Sequence, residues 1–144
     1  MAEAKALYRE VAPGFTAHCG PQDVWTLRSK ANLANLLMGE DTAEAKLQAK
    51  ALYLEVVVGW TAQYGAQHKQ TLLSKMGLAA ALEDEGTAEA KAEAEALHRE
   101  VVAGFTAQYG AQHVQTLQSK AALAGLLQKE RMAEAVAEAK VLLR

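Results

Sequence analysis

The sequence predicts an all-α solenoid of stacked antiparallel helix pairs. Three observations lead there. The 144 residues are 51% hydrophobic and 6% aromatic with two prolines, and Ala, Leu, Glu, Gln and Lys dominate, a composition that favours helix. Three stretches repeat at a fixed offset: Gly14–Gly20, Gly59–Gly65 and Gly104–Gly110 lie 45 residues apart (59 − 14 and 104 − 59). Within each copy the apolar residues recur at helical intervals.

The register holds over the whole chain. Thr26-Leu27, Thr71-Leu72 and Thr116-Leu117 obey the same offset, as do Leu33, Leu78 and Leu123. Segments 43–87 and 88–132 agree at roughly 28 of 45 positions. One repeat domain spans 1–144: a partial and first copy over 1–42, a second over 43–87, a third over 88–132 and a truncated final helix over 133–144.

Each copy divides into a long and a short helix. The first long helix covers about 2–19 and the first short one about 23–38. In the short helix Leu27, Leu33, Ala34, Leu36 and Leu37 form a stripe too wide for one buried side, so neighbours should flank it twice. The second long helix, 43–64, opens behind Thr42, whose hydroxyl suits an N-cap, and Glu44 meets the positive helix end. Ala45, Ala49, Leu52, Tyr53, Val56 and Trp60 follow on one side. Gly65 is expected to close it with a left-handed C-cap. Gln67-His68 opens the short helix 68–83, where Leu72, Met76, Ala79 and Leu82 share a face. The third copy repeats the scheme with helices at 88–109 and 113–128, then a partial long helix at 132–143.

The junctions differ. Residues 38–42 and 83–87 each hold a glycine and a capping threonine. Gln128-Lys129-Glu130-Arg131-Met132 holds neither, and all five are good helix formers. Two outcomes stay open there: a tight turn held by packing, which the element order above assumes, or one helix from about 113 to 143.

At Thr26–Leu37, followed by Ala-Glu-Ala-Lys and Leu-Tyr, the chain resembles tetratricopeptide-like repeats, above all the longer repeats of kinesin light chains. Gly-Ala-Gln-His at 65–68 and 110–113 is similar to that family's interhelical loop. The resemblance covers nearly the whole chain. It implies a right-handed superhelix whose concave face, lined by the short helices, binds a peptide or helix. The period departs from the family's by three residues, nearly one helical turn. By the same resemblance the partner-binding set is Arg28, Ala31, Asn32 and Asn35 in the first copy, Leu73 and Met76 in the second, and Gln118 in the third. Asn32 becomes Gly77 and Ala122, and Asn35 becomes Ala80 and Gly125, so the polar grip is confined to the first copy.

Other chemistries lack their residues. The sequence holds no His-Glu-x-x-His, phosphate loop or Gly-x-Ser-x-Gly, so no enzyme, metal site or cofactor is expected. His68 and His113 are repeat equivalents at helix starts, which suits loop packing better than catalysis. Lys30, Lys75 and Lys120 read either as a cationic ladder for acidic peptides or as stems covering leucines, and packing favours the second. Phe15, Trp60 and Phe105, with Tyr64 and Tyr109, are expected to pack between copies. A pI near 6.1 excludes a broad basic face for nucleic acid. No run of about 18 apolar residues suggests a membrane span. One cysteine, Cys19, and a charged start fit a cytoplasmic protein.

The expected partners are a protein or peptide, and a second copy of the chain. Solenoid ends need polar caps. Val141-Leu142-Leu143-Arg144 stands where earlier copies continue, and Leu7, Tyr8 and Val11 lack a preceding unit. Self-association is therefore expected through the C-terminal helices, with Leu123, Leu126, Leu127 and Leu142 in the contact.

Overall fold

A computed structural model describes residues 2–143; Met1 and Arg144, the limits of the expected domain, lie outside the described residues. Six helices follow in order: α1 (Ala2–Cys19), α2 (Val24–Met38), α3 (Ala43–Tyr64), α4 (Lys69–Glu85), α5 (Ala88–Tyr109) and α6 (Val114–Leu142). The described residues form no strand. Each helix packs on its neighbours in the chain, and α2 also touches α4.

Local chemistry sets the helix starts. Thr42 Oγ1 accepts from the Ala45 N–H at 3.2 Å, and Thr87 Oγ1 from that of Ala90 at 3.1 Å. Asp23 caps α2 by accepting from the Trp25 N–H at 2.9 Å. His68 and His113 do the same for α4 and α6: each Nδ1 accepts, at 3.1 Å, from the N–H two residues on. A ring nitrogen thus takes over the N-cap role of a short polar side chain.

Gly65 and Gly110 close α3 and α5, but not with the expected left-handed cap. Their φ values are 92° and 90°, with ψ at 166° and 164°. This is the extended half of the positive-φ region, open essentially to glycine alone. It turns the Gly65 carbonyl towards α4, where the Thr71 hydroxyl donates to it at 2.9 Å; Thr26 does the same to Gly20 at 2.8 Å. The left-handed cap is found instead at Gly86, with φ 76° and ψ −1°.

The main core runs through the middle of the helices. Leu33 and Leu37 of α2, Leu78 and Leu82 of α4 and Leu126 of α6 meet the alanine faces of α3 (Ala45, Ala49) and α5 (Ala90, Ala94). Small residues let the backbones approach, and the leucines fill the space between. Each buried leucine contributes about 1.5–3 kcal/mol. Two smaller clusters sit nearer the Gly loops: Leu27, Val56 and Trp60, and their equivalents Leu72, Val101 and Phe105.

The last junction does not turn. α6 runs unbroken for 29 residues, so the expected break at 128–132, and with it the 132/133 boundary, falls inside a helix. The physical reason is local. Residues 127–129 and 131–143 are exposed, so no packing opposes the helical preference of Gln128–Met132. The four leucines of the expected self-association set differ in exposure. Leu126 is 3% exposed in the main core and is spent within the chain. Leu123 is half-buried, whereas Leu127 and Leu142 are open to solvent.

Candidate functional site

A groove of about 590 Å³ is shared by α1, α2, α3 and α4. That volume lies within the usual range for ligand sites. One face of α2 forms a wall: Trp25, Arg28, Asn32 and Asn35 follow at i, i+3, i+7 and i+10 and are all exposed. Tyr8, Val11 and Phe15 of α1 stand on one side, and Gln70, Leu73 and Ser74 of α4 on the other. Tyr53 and Trp60 of α3, both buried, also line it.

Ring stacking shapes one part of the groove. Trp25 is 56% exposed, an unusual state for so large an apolar ring. Its position is held by a stack on Phe15, with centroids 5.9 Å apart and planes 24° from parallel. The Arg28 guanidinium carbon lies 5.9 Å from the Trp25 ring centroid, within range of a cation–π contact. Arg28 is the sole formal charge among the lining residues, so the groove mixes apolar and neutral polar groups with one cationic point.

Elsewhere the groove is polar and neutral. The Tyr53 hydroxyl donates to Asn35 Oδ1, which fixes the amide orientation. Burial pushes the Tyr53 phenol up to about 12, so it stays a neutral donor at ordinary pH. Asn32, one turn away, is exposed and lines the groove.

The structure brings together five of the seven residues expected on the partner-binding face: Arg28, Ala31, Asn32, Asn35 and Leu73. Met76 packs instead against the Leu72, Val101 and Phe105 cluster. Gln118 is exposed on α6 and does not line the groove. The groove also contains residues outside the expected set, above all Trp25 and Phe15. Trp25 lies three residues before Arg28, and helical spacing alone extends the face to it. Phe15, expected as a packing residue, is half-buried and supports that ring.

Two of the three lysines Lys30, Lys75 and Lys120 are engaged in ion pairs, and Lys120 is exposed. Lys30 pairs with Glu55 at 3.1 Å and Lys75 with Glu100 at 3.4 Å, each tying a short helix to the following long one. Trp60 and Phe105 are buried, while Tyr64 and Tyr109 are partly exposed and stack on His68 and His113 with centroids 4.5 Å apart.

Compared with known proteins, the chain matches no family model and no curated sequence. No helix among the described residues is long and apolar enough to cross a membrane.

Proposed function

We propose that the chain is a non-enzymatic repeat scaffold that binds a peptide or helix along the α2 groove. In this reading the helix pairs stack as a right-handed, tetratricopeptide-like α-solenoid with a 45-residue period, and the groove lies on its concave face. The observation that carries the reading is the exposed α2 wall, where Trp25, Arg28, Asn32 and Asn35 share one face. An aromatic ring offers area at low entropic cost, the amides suit backbone groups, and Arg28 suits one carboxylate. A cytoplasmic setting belongs to the same proposal, and the unpaired Cys19 supports it.

The test is peptide-array binding by dilute monomer, wild type against Arg28→Ala with Asn32→Ala. Both side chains are exposed, so the fold should survive. Losing the cation and one amide should weaken bound peptides at least tenfold, about 1.4 kcal/mol. Unchanged binding would remove the groove from the function.

A second reading is a structural module whose main partner is its own chain. It is favoured by α6, where Met132, Val136, Val141, Leu142 and Leu143 are between 52% and 87% exposed.

A further inference from the structure

The exposed end of α6 has two relatives inside the chain, and both are buried. Ala135, Ala139 and Leu143 occupy the repeat positions of Ala45, Ala49 and Tyr53 in α3, and of Ala90, Ala94 and His98 in α5. Those six residues are at most 5% exposed. Their faces pack on the short helix just before them. Tyr53 of α3 donates to Asn35 of α2, and His98 Nε2 of α5 lies 3.1 Å from Glu83 Oε2 of α4. Ala135, Ala139 and Leu143 are all exposed.

The receiving surface shows the same contrast. Leu33 and Leu37 are covered once α3 folds back on α2, and Leu78 and Leu82 once α5 folds back on α4; all four are 8% exposed or less. Their equivalents Leu123 and Leu127 are half-buried and 37% exposed. Donor face and acceptor face thus both lie on α6, and a straight helix keeps them apart. From 128 to 143 the rise is about 22 Å.

We propose that α6 exchanges its C-terminal half between two copies of this chain. Residues 133–143 of each copy lie on the 114–128 face of the other, as α3 lies on α2 and α5 on α4. The arrangement is two-fold, so each copy donates and receives once and the assembly closes as a dimer. The hinge is 128–132. At the equivalent place α4 has Gly86 in the left-handed conformation and Thr87 capping the next helix, and these two residues let the chain reverse. Arg131 and Met132 stand there in α6. The inference rests on the self-association reading and adds its geometry: which segment moves, where it docks, and why the junction sends it outward.

The contact of His98 with Glu83 places residues 143 and 128 together across the exchanged pair (98 + 45 and 83 + 45). The test is a short bismaleimide applied to full-length chain carrying Cys19→Ser, Gln128→Cys and Leu143→Cys. Both added cysteines replace exposed residues, so the fold of the monomer is not at stake. A covalent dimer, at least fivefold above either single-cysteine control, is the expected result. Adding Arg131→Gly and Met132→Thr should convert it to an intrachain link in a monomer. An intrachain link with the native junction would mean that the segment folds back on its own copy, and would overturn the exchange. A dimer in sedimentation without the 128–143 link would keep self-association and overturn the exchange. A monomer at millimolar concentration overturns both. A covalent dimer that persists unchanged with Arg131→Gly and Met132→Thr would overturn the hinge.

Discussion

Gly14, Gly59 and Gly104 are repeat equivalents inside helices, and substituting each by alanine separates backbone propensity from packing. Alanine in a helix interior gains about 0.8–1 kcal/mol over glycine. At Gly14 a Cβ would meet nothing within 4 Å, so Gly14→Ala should keep the whole gain. At Gly59 the same Cβ would lie 2.5 and 2.8 Å from the two methyls of Leu27. Carbon atoms prefer about 3.5–4.0 Å, so roughly 1 Å of overlap must be relieved. Leu27 is 1% exposed between Val56 and Trp60 and has little room to move. Overpacking of this kind costs about 1–3 kcal/mol, so Gly59→Ala should end up to about 2 kcal/mol less stable than wild type. Gly104 is intermediate: the Leu72 methyls stand at 2.8 and 3.0 Å, and Gln67 Oε1, at 2.7 Å, belongs to an exposed side chain that can swing away. Urea unfolding should rank the variants Gly14→Ala, Gly104→Ala, Gly59→Ala from most to least stable. The melting temperatures of the outer pair should differ by about 4–10 °C. Equal stabilisation at Gly14 and Gly59 would refute the packing argument.

Two further predictions concern single polar groups. Thr71 Oγ1 donates to the Gly65 carbonyl, whereas buried Thr116 Oγ1 has no partner, so Thr71→Val should cost about 1–2 kcal/mol while Thr116→Val is neutral or stabilising in the same urea titration. Tyr53 holds its proton more tightly folded than unfolded, its phenol lying at about 12 instead of 10.0. The unfolded chain therefore binds fewer protons between those values, stability should fall as pH rises from about 10 to 12, and Tyr53→Phe should flatten that part of the stability profile.

The helix order was legible because the starts are written in short-range chemistry. Thr42 and Thr87 cap where a threonine before Ala-Glu-Ala should cap, and α3 and α5 open at the next residue. Gly65 and Gly110 were legible as stops but not in their ψ, because the hydroxyl that orients the Gly65 carbonyl comes from the following helix. The path of 128–132 depends on whether any packing opposes local preference, and a sequence does not state that balance. The fate of Leu126 is similar. Its equivalents are Leu36, half-buried, and Ala81, buried, so position within the repeat does not fix exposure. In the groove, Arg28, Asn32 and Asn35 could be read from helical spacing, but the support that Phe15 gives Trp25 joins two helices across a Gly-Pro loop.

The pattern of contacts also has a consequence for how the chain acquires its structure. Every extensive contact joins helices adjacent in sequence. Loops that must close are short, and the entropy lost in closing them is recovered at once by the contact they allow. Folding should therefore be fast for a chain of this size and can start at more than one helix pair. The α3–α4 and α4–α5 pairs, with neighbours on both sides, should exchange their amide protons slowest. Protection should thin towards α1 and the exposed half of α6, where a helix is held from one side or from none.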